Sequence, residues 1–345
     1  MSNAYRIYAG PGSPYSHKVR AVFRYRRIPH TWLVPVGGFT GEGGLGSDTG
    51  NPDSPLTRAG KDVVPVVEYP GGEYKADSTP IIDELEQLHQ GRSIIHPDPA
   101  ADFIARLIED LADEYLPLPM FYSRWTTDKQ WCGERQMIGW SEPLSDEELA
   151  KRAEAFLSRQ GAQIGALDAS QMHAAAEAFF SAMENLLKHQ HFLLGSKPSI
   201  ADFALYGQLT QYMADPTMCN LMKGTAVRTF QWTHLVDDLS GWEGEWSALS
   251  GITSDVVTPF LDMVRDFYLP MAEFSLAMSD GHELSDSANG LVYRAKTYLD
   301  LKNRLSALSD NAKEPLKEIL ESSGCWQALH FKEGEAERAV PVLPQ

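Results

Sequence analysis

The chain has 345 residues, 43% of them hydrophobic and 22% charged, with a formal net charge of −17. That length holds two ordinary domains, and the composition is that of a folded chain. So acidic a balance argues against nucleic acid and anionic membrane surfaces as partners, because both reward a basic face.

The first residues lack a charged-then-apolar secretion pattern, and no run approaches the roughly 18 apolar residues of a membrane helix. Cys132, Cys219 and Cys325 are far apart, odd in number and without a CxxC spacing, which fits free thiols in a reducing cytoplasm. No metal site is expected. His189 and His191 have HxH spacing but no acidic or thiol partners nearby, and read as the end of a helix.

Tyr5 to Ala9 alternates like a strand. A helix is expected over about 17–27, with Val19, Val22 and Phe23 on one side. His30 to Val36 reads as a second strand, and residues 37–58, rich in Gly, Asp, Ser and Pro, as a long surface loop. Gly41, Gly43 and Gly46 spell GxGxxG, but no apolar helix follows, so this is a false match to a dinucleotide site. Residues 63–76 read as a hairpin turning at Pro70-Gly71-Gly72. Asp77-Ser78-Thr79 opens a helix with Pro80 in its first turn and Ile81, Ile82, Leu85 and Leu88 on one side.

From Asp98-Pro99 onward the pattern is helical. Helices are expected from 98 to Pro117 and over about 145–160, 170–188, 199–214, 254–278, 287–307 and 311–322, with 125–145 and 215–253 ambiguous. The organisation is therefore a mixed α/β domain at 1–90, a linker at 91–97 and an all-α domain at 98–345.

Three segments of the first domain carry chemistry. Ser13 sits in a strand-to-helix turn, where backbone N–H groups and the helix dipole favour an anion such as a thiolate. The plainer reading is that Ser13 or Ser16 is an N-cap. Val64-Pro65 is a candidate cis peptide that would turn the Val64 backbone groups toward an extended peptide ligand. Asp77 and Ser78, at a helix start, suit the ammonium and carboxylate of an amino acid. A thiolate site, a peptide-backbone site and a zwitterion site together outline glutathione.

With these residues in order, the sequence resembles the glutathione transferase family over most of its length. The Ser-Pro turn, the Val-Pro-Val strand and the Asp-Ser helix start resemble its thioredoxin-like domain. Phe192-Leu193-Leu194-Gly195-Ser196-Lys197-Pro198-Ser199-Ile200-Ala201-Asp202-Phe203 is similar to its helical-domain signature. Read physically, that segment is a capping box: Ser199 caps a helix and Asp202 reaches back to the Ser199 N–H. The resemblance implies a β-α-β-α-β-β-α thioredoxin-like domain followed by an enlarged all-helical domain. It also implies a cytoplasmic homodimer in detoxification, with glutathione as co-substrate and a small apolar electrophile as the second partner. The tau, theta and delta classes place a hydroxyl where Ser13 stands, so the resemblance gives Ser13 the catalytic role and Val64, Pro65, Asp77 and Ser78 the glutathione contacts.

The sequence also departs from that pattern. The loop at 37–58 is long where the family's second helix should help form the glutathione site. Val63 stands where several classes carry a polar residue, for which Arg58 or Lys61 can substitute. Tyr8 is a rival thiol activator, although its strand neighbours suggest packing. Glu109, Asp110, Asp113 and Glu114 read as a solvated acidic helix face. Tyr115, Phe121 and Tyr122 are candidates to line a second-substrate pocket. Two other functions fit the same architecture: a non-catalytic glutathione-transferase-like binding or scaffold protein, and a specialised glutathione-dependent lyase, isomerase or dehalogenase.

Overall fold

The structure is a computed structural model describing residues 4–33, 52–61, 63–140, 143–160, 167–252, 254–279 and 290–339. Its N-terminal elements run β1 (Tyr5–Tyr8), α1 (Pro14–Tyr25), β2 (His30–Leu33), α2 (Pro55–Ala59), β3 (Val66–Glu68), β4 (Tyr74–Ala76) and α3 (Ser78–Leu88). The sheet order is β2-β1-β3-β4. β1 is parallel to β2 and antiparallel to β3, and β4 is antiparallel to β3. This is the expected mixed sheet.

Register assigns the two faces. Tyr5, Ile7 and Val67 are buried, and α1 packs on α3, with Tyr5 edge-on to Phe23 of α1 and Lys75 paired to Glu84 of α3 at 2.5 Å. Val19, Val22 and Phe23 of α1 are fully buried, each contributing about 1.5–3 kcal/mol of apolar burial. On the other face Val66, Ala76 and Leu56 of α2 form a small core bordered by Tyr8, Val64 and Tyr74.

Two sequence expectations change here. α1 begins at Pro14, three residues earlier than expected, because Ser13 supplies the N-cap and Pro14 the first helical residue. The end of the expected 37–58 loop is helical: Ser54 caps α2, Pro55 opens it, and Gly60 closes it at φ +65°. Residues 34–51, with the three glycines of the false motif, lie outside the described residues.

The remaining described residues are helical apart from short connections and isolated bridges. They comprise α4 (Pro99–Asp110), α5 (Pro117–Trp125), α6 (Lys129–Trp140), α7 (Asp146–Gln160), α8 (Ala169–His189), α9 (Ile200–Ala214), α10 (Pro216–Thr225) and α11 (Val227–Val236). They continue with α12 (Ser254–Met263), α13 (Leu269–Met278), α14 (Gly290–Ala307) and α15 (Asp310–Ser322). Of the ambiguous stretches, Lys129–Trp140, Pro216–Thr225 and Val227–Val236 are helical, while 237–248 is irregular, with a bridge from Trp246 to Gly195. α8 ends at His189, as read.

Compact packing divides the chain into two units. One comprises Met1–Arg92, Leu118–Ala176 and Tyr206–Trp242; the other comprises Ser93–Pro117, Glu177–Leu205 and Glu243–Gln345. In the second unit the capping box forms as written: Asp202 Oδ2 accepts from the Ser199 N–H at 2.8 Å and the Ser199 hydroxyl at 2.6 Å. Its Oδ1 accepts from the Leu193 N–H at 2.8 Å. Burial still pushes the Asp202 carboxyl up to about 6.

The acidic face of α4 is not solvated, contrary to the sequence reading. Glu109 and Asp113 are buried, Glu109 accepts from Arg106 Nη1 at 3.1 Å, and Asp110 accepts from the Tyr268 hydroxyl at 2.6 Å. Glu114 stands 3.9 Å from Arg294. Arg106 is a neighbour on the same helix, but Tyr268 and Arg294 are distant in the chain, so helical spacing alone gave no sign of them.

Candidate active site

The site begins with strand register. Tyr8 pairs with Val66, and Val66 with Ala76, so these three residues form one row across three adjacent strands. β1 leaves that row toward Ser13. β3 enters it from Val64-Pro65. β4 leaves it toward Asp77-Ser78. Neighbouring strands lie roughly 4.8 Å apart. Three motifs spread along the chain from Ser13 to Ser78 therefore emerge at one end of one sheet.

Ser13 is partly buried and caps α1, its Oγ accepting from the Ser16 N–H at 3.2 Å. The plainer sequence reading thus describes a bond that exists. A hydroxyl has one proton to donate beyond what it accepts, so capping leaves the Ser13 O–H able to donate to an anion. Ser16 is fully buried.

The Val64-Pro65 peptide is cis. Val64 lies before the first residue of β3, outside the ladder, and Pro65 is buried. Asp77 is nearly buried, with φ +88°, a conformation that disfavours a side chain. It makes no side-chain capping bond to α3; instead its Oδ2 accepts from Lys61 Nζ at 3.1 Å. An ammonium therefore already occupies the place the sequence assigned to one. Ser78 is buried at the first residue of α3. Of the two substitutes considered for Val63, Lys61 is the one that contacts Asp77. Arg58 lies over the Tyr74 ring, 3.9 Å from its centroid, and donates to the Gly72 carbonyl.

Tyr8 faces the α2 side of the sheet. Its hydroxyl donates to Glu68 at 2.9 Å, its ring stacks on Tyr74, and burial raises its pKa. That environment matches the packing role. Tyr115 lies in the second unit, buried and stacked on Phe267. Phe121 and Tyr122 lie in the first unit, partly buried on α5. Buried Cys132 has its thiol pushed up to about 12, chiefly by burial, which leaves it unreactive. Among the described residues no group of three His, Cys, Asp or Glu is placed to hold a metal ion.

Sequence reading missed His17. Its Nδ1 accepts from Arg20 Nη2 at 3.1 Å, and its Nε2 lies 3.0 Å from the Pro11 carbonyl. Arginine can only donate and a carbonyl can only accept, so the proton sits on Nε2. Burial, then the Arg20 charge, depress the ring pKa to about 4, leaving it neutral at pH 7. Arg20 in turn donates to Asp237 at 2.8 Å, as does Arg24. The i, i+3 spacing of His17 and Arg20 was the one local signal of this chain.

Two family models match, the glutathione S-transferase N-terminal domain over residues 7–93 and its C-terminal domain over 154–251, together more than half of the chain. The chain belongs to the glutathione S-transferase family. Among solved structures this family member is similar to a glutathione S-transferase from Rhodospirillum rubrum F11. The identity there is 17% and the TM-score 0.42, covering 67% of this chain and 87% of that one. It is also similar to the beta-etherase LigF from Sphingobium sp. strain SYK-6, at 15% identity and TM-score 0.46, covering 68% and 95%. A glutathione S-transferase from Methylobacterium radiotolerans JCM 2831, in complex with glutathione sulfonate, matches at 21% and TM-score 0.41, covering 68% and 90%. No curated protein matches. The assignment to the glutathione S-transferase family stands on the two domain matches.

Proposed function

We propose that residues 1–90 form a glutathione-binding domain that activates the glutathione thiol for attack on an apolar electrophile. The observation that carries this reading is the Tyr8–Val66–Ala76 row, which brings Ser13, Val64-Pro65 and Asp77-Ser78 to one end of the sheet. In this reading Val64 pairs with the peptide backbone of glutathione, while Asp77 and the α3 N-terminus, with Ser78, take its amino-acid end. Ser13 donates its hydroxyl proton to the sulfur as a hydrogen bond, and the α1 dipole favours thiolate over thiol. Lowering a thiol pKa from about 8.5 by two units takes about 2.7 kcal/mol. One charge-assisted hydrogen bond and a helix terminus supply that much. The thiolate then forms a carbon–sulfur bond while the electrophile's leaving group departs with the bonding pair.

The reading extends to a helical domain at 98–345 holding the second substrate, with Phe121 and Tyr122 as candidate contacts, and to a cytoplasmic homodimer. Among the described residues no helix is long and apolar enough to cross a membrane. A second reading, a non-catalytic binding protein, is favoured by the Ser13–Ser16 capping bond, which accounts for Ser13 without any ligand.

Calorimetric titration with glutathione, followed by a product screen with activated aryl halides, unsaturated acids and aryl ethers, tests both. Binding with a glutathione adduct supports the transferase. A halide released, an ether cleaved or an unsaturated acid isomerised with no glutathione adduct retained as the end product identifies the specialised enzyme. Binding without turnover, or no binding at all, supports the second reading, and no binding rejects the glutathione reading.

A further inference from the structure

The turn that carries Ser13 is held by side chains from outside it. The Pro11 carbonyl oxygen accepts from His17 Nε2 at 3.0 Å, from Gln211 Nε2 at 3.1 Å and from Arg135 Nη2 at 3.4 Å. Gln211 is 200 residues away on α9 and Arg135 is 124 residues away on α6, both in the same compact unit as the turn. Pro11 is exposed, so water could satisfy this carbonyl. Three protein donors on an oxygen with two lone pairs are more than satisfaction requires.

The two distant donors are themselves fixed. Gln211 Oε1 accepts from Arg124 Nη2 at 3.0 Å and from both Nη atoms of Arg135 at 3.2 Å. Asp215 binds Arg124 Nε at 2.6 Å and Arg135 Nη1 at 3.3 Å. Because guanidinium groups only donate, the Gln211 oxygen must face them and its nitrogen must face Pro11. α6 also lies against the turn: a Cβ on Gly12 would fall 2.3 Å from the Gln136 side chain, and one on Gly139 would meet the Pro11 ring at 3.1 Å. The charged and titratable groups around the turn are thus His17 and Arg20 of α1, Arg124, Arg135 and Asp215, with Asp237 behind Arg20 and buried Cys132 near Asp215.

We propose that Gln211 and Arg135 are positioning residues for the Ser13 hydroxyl: by fixing the Pro11 carbonyl, they set where that hydroxyl points. The inference rests on the glutathione reading above. The test is a double-mutant cycle. Gln211→Glu keeps an oxygen toward the two arginines and removes the N–H to Pro11. Arg135→Met leaves the Arg124–Asp215 pair in place. Each is made with and without Ser13→Ala, and thermal melts confirm folding. Glutathione affinity is read by calorimetry, and ionisation of the bound thiol by its ultraviolet absorbance against pH.

Each single substitution is expected to raise the pH midpoint of the bound thiol by about one, a tenfold loss of thiolate below the midpoint, with affinity held within about threefold. In the Ser13→Ala background neither adds a further rise, because both act through the hydroxyl. Unchanged midpoints in the folded single variants overturn the proposal. So do rises that add to that of Ser13→Ala, which mark a bare charge effect. Should Gln211→Glu fail to fold, Arg135→Met decides alone, its side chain being 22% exposed. Failure of the underlying reading looks different: the unsubstituted chain does not bind glutathione, or Ser13→Ala leaves its midpoint in place, and the positioning role falls with it.

Discussion

Asp77 holds its carboxylate 3.1 Å from the Lys61 ammonium while its own backbone stands at φ +88°. A side chain in that conformation costs about 1–3 kcal/mol relative to glycine. Replacing Asp77 therefore separates backbone strain from charge. Asp77→Gly is expected to be more stable than Asp77→Ala by about 1 kcal/mol, while both weaken glutathione about tenfold or more, since either loses the carboxylate that takes the ammonium. Thermal melts and calorimetric titration check the two halves. Equal stability of the two variants removes the strain argument, and unchanged affinity removes Asp77 from the site.

Ser13 has two duties in the proposed mechanism, and they respond differently to substitution. Ser13→Ala loses the cap of α1 and should cost about 1 kcal/mol, while Ser13→Gly should cost only a few tenths. Both lose the hydroxyl, so both should lower turnover at neutral pH by about 10- to 100-fold, with glutathione still bound. Steady-state rates with an activated aryl halide, set beside thermal melts, distinguish the duties. Turnover that follows stability instead of the hydroxyl returns Ser13 to a capping role alone.

Asp110 gives a pH-dependent stability. Burial, and after it the neighbouring carboxylates Glu109, Asp300 and Asp113, push its pKa up to about 8 against the Tyr268 hydrogen bond. The folded value lies above the unfolded one near 3.9, so the folded state holds the extra proton between those limits. This group's contribution is full below about pH 4 and is lost as pH rises toward 8. Asp110→Asn keeps an oxygen for Tyr268 and carries no charge. It should be more stable than the parent by about 2–4 kcal/mol at pH 8, an advantage that shrinks steadily toward pH 4. Denaturant titrations at several pH values measure it, and an advantage independent of pH would contradict the assignment.

The Arg124–Asp215 pair is buried on both sides, with side chains 2% and 0% exposed. Asp215→Ala strands the Arg124 guanidinium without a carboxylate, leaving Gln211 Oε1 as its acceptor among the described residues, and should cost about 3–5 kcal/mol. Asp215→Asn, which keeps one acceptor, should cost less. A chemical-denaturation series reads both, and a cost below about 1 kcal/mol for Asp215→Ala would show that water reaches the site.

What could be read from the chain were the features whose parts lie close together in it. Ser199 and Asp202 are three residues apart, so their capping box follows from helix geometry alone. The signals for α2 were equally local. Ser54, Pro55 and Gly60 mark its start and stop, yet the glycine-rich stretch before them masked a five-residue helix. The strands at Tyr5 and Val66 and the helix at Ser78 carried their own periodicity and turn chemistry. The acidic residues of α4 misled for the opposite reason. Asp110 meets Tyr268, 158 residues later, so the same spacing that describes a solvated face also describes a covered one.

By itself, the sequence determined the order of the N-terminal elements other than α2 and the change from mixed sheet to helices near residue 98. Each of these depends on propensity, capping and spacing within a few turns of chain. Only the tertiary structure decided that Ser13, Val64-Pro65 and Asp77-Ser78 share one end of the sheet. It alone decided that Lys61 reaches Asp77, and that Gln211 and Arg135 grip the Pro11 carbonyl. Strand register and helix packing join residues up to 217 positions apart, and no local pattern encodes which distant donor meets which acceptor.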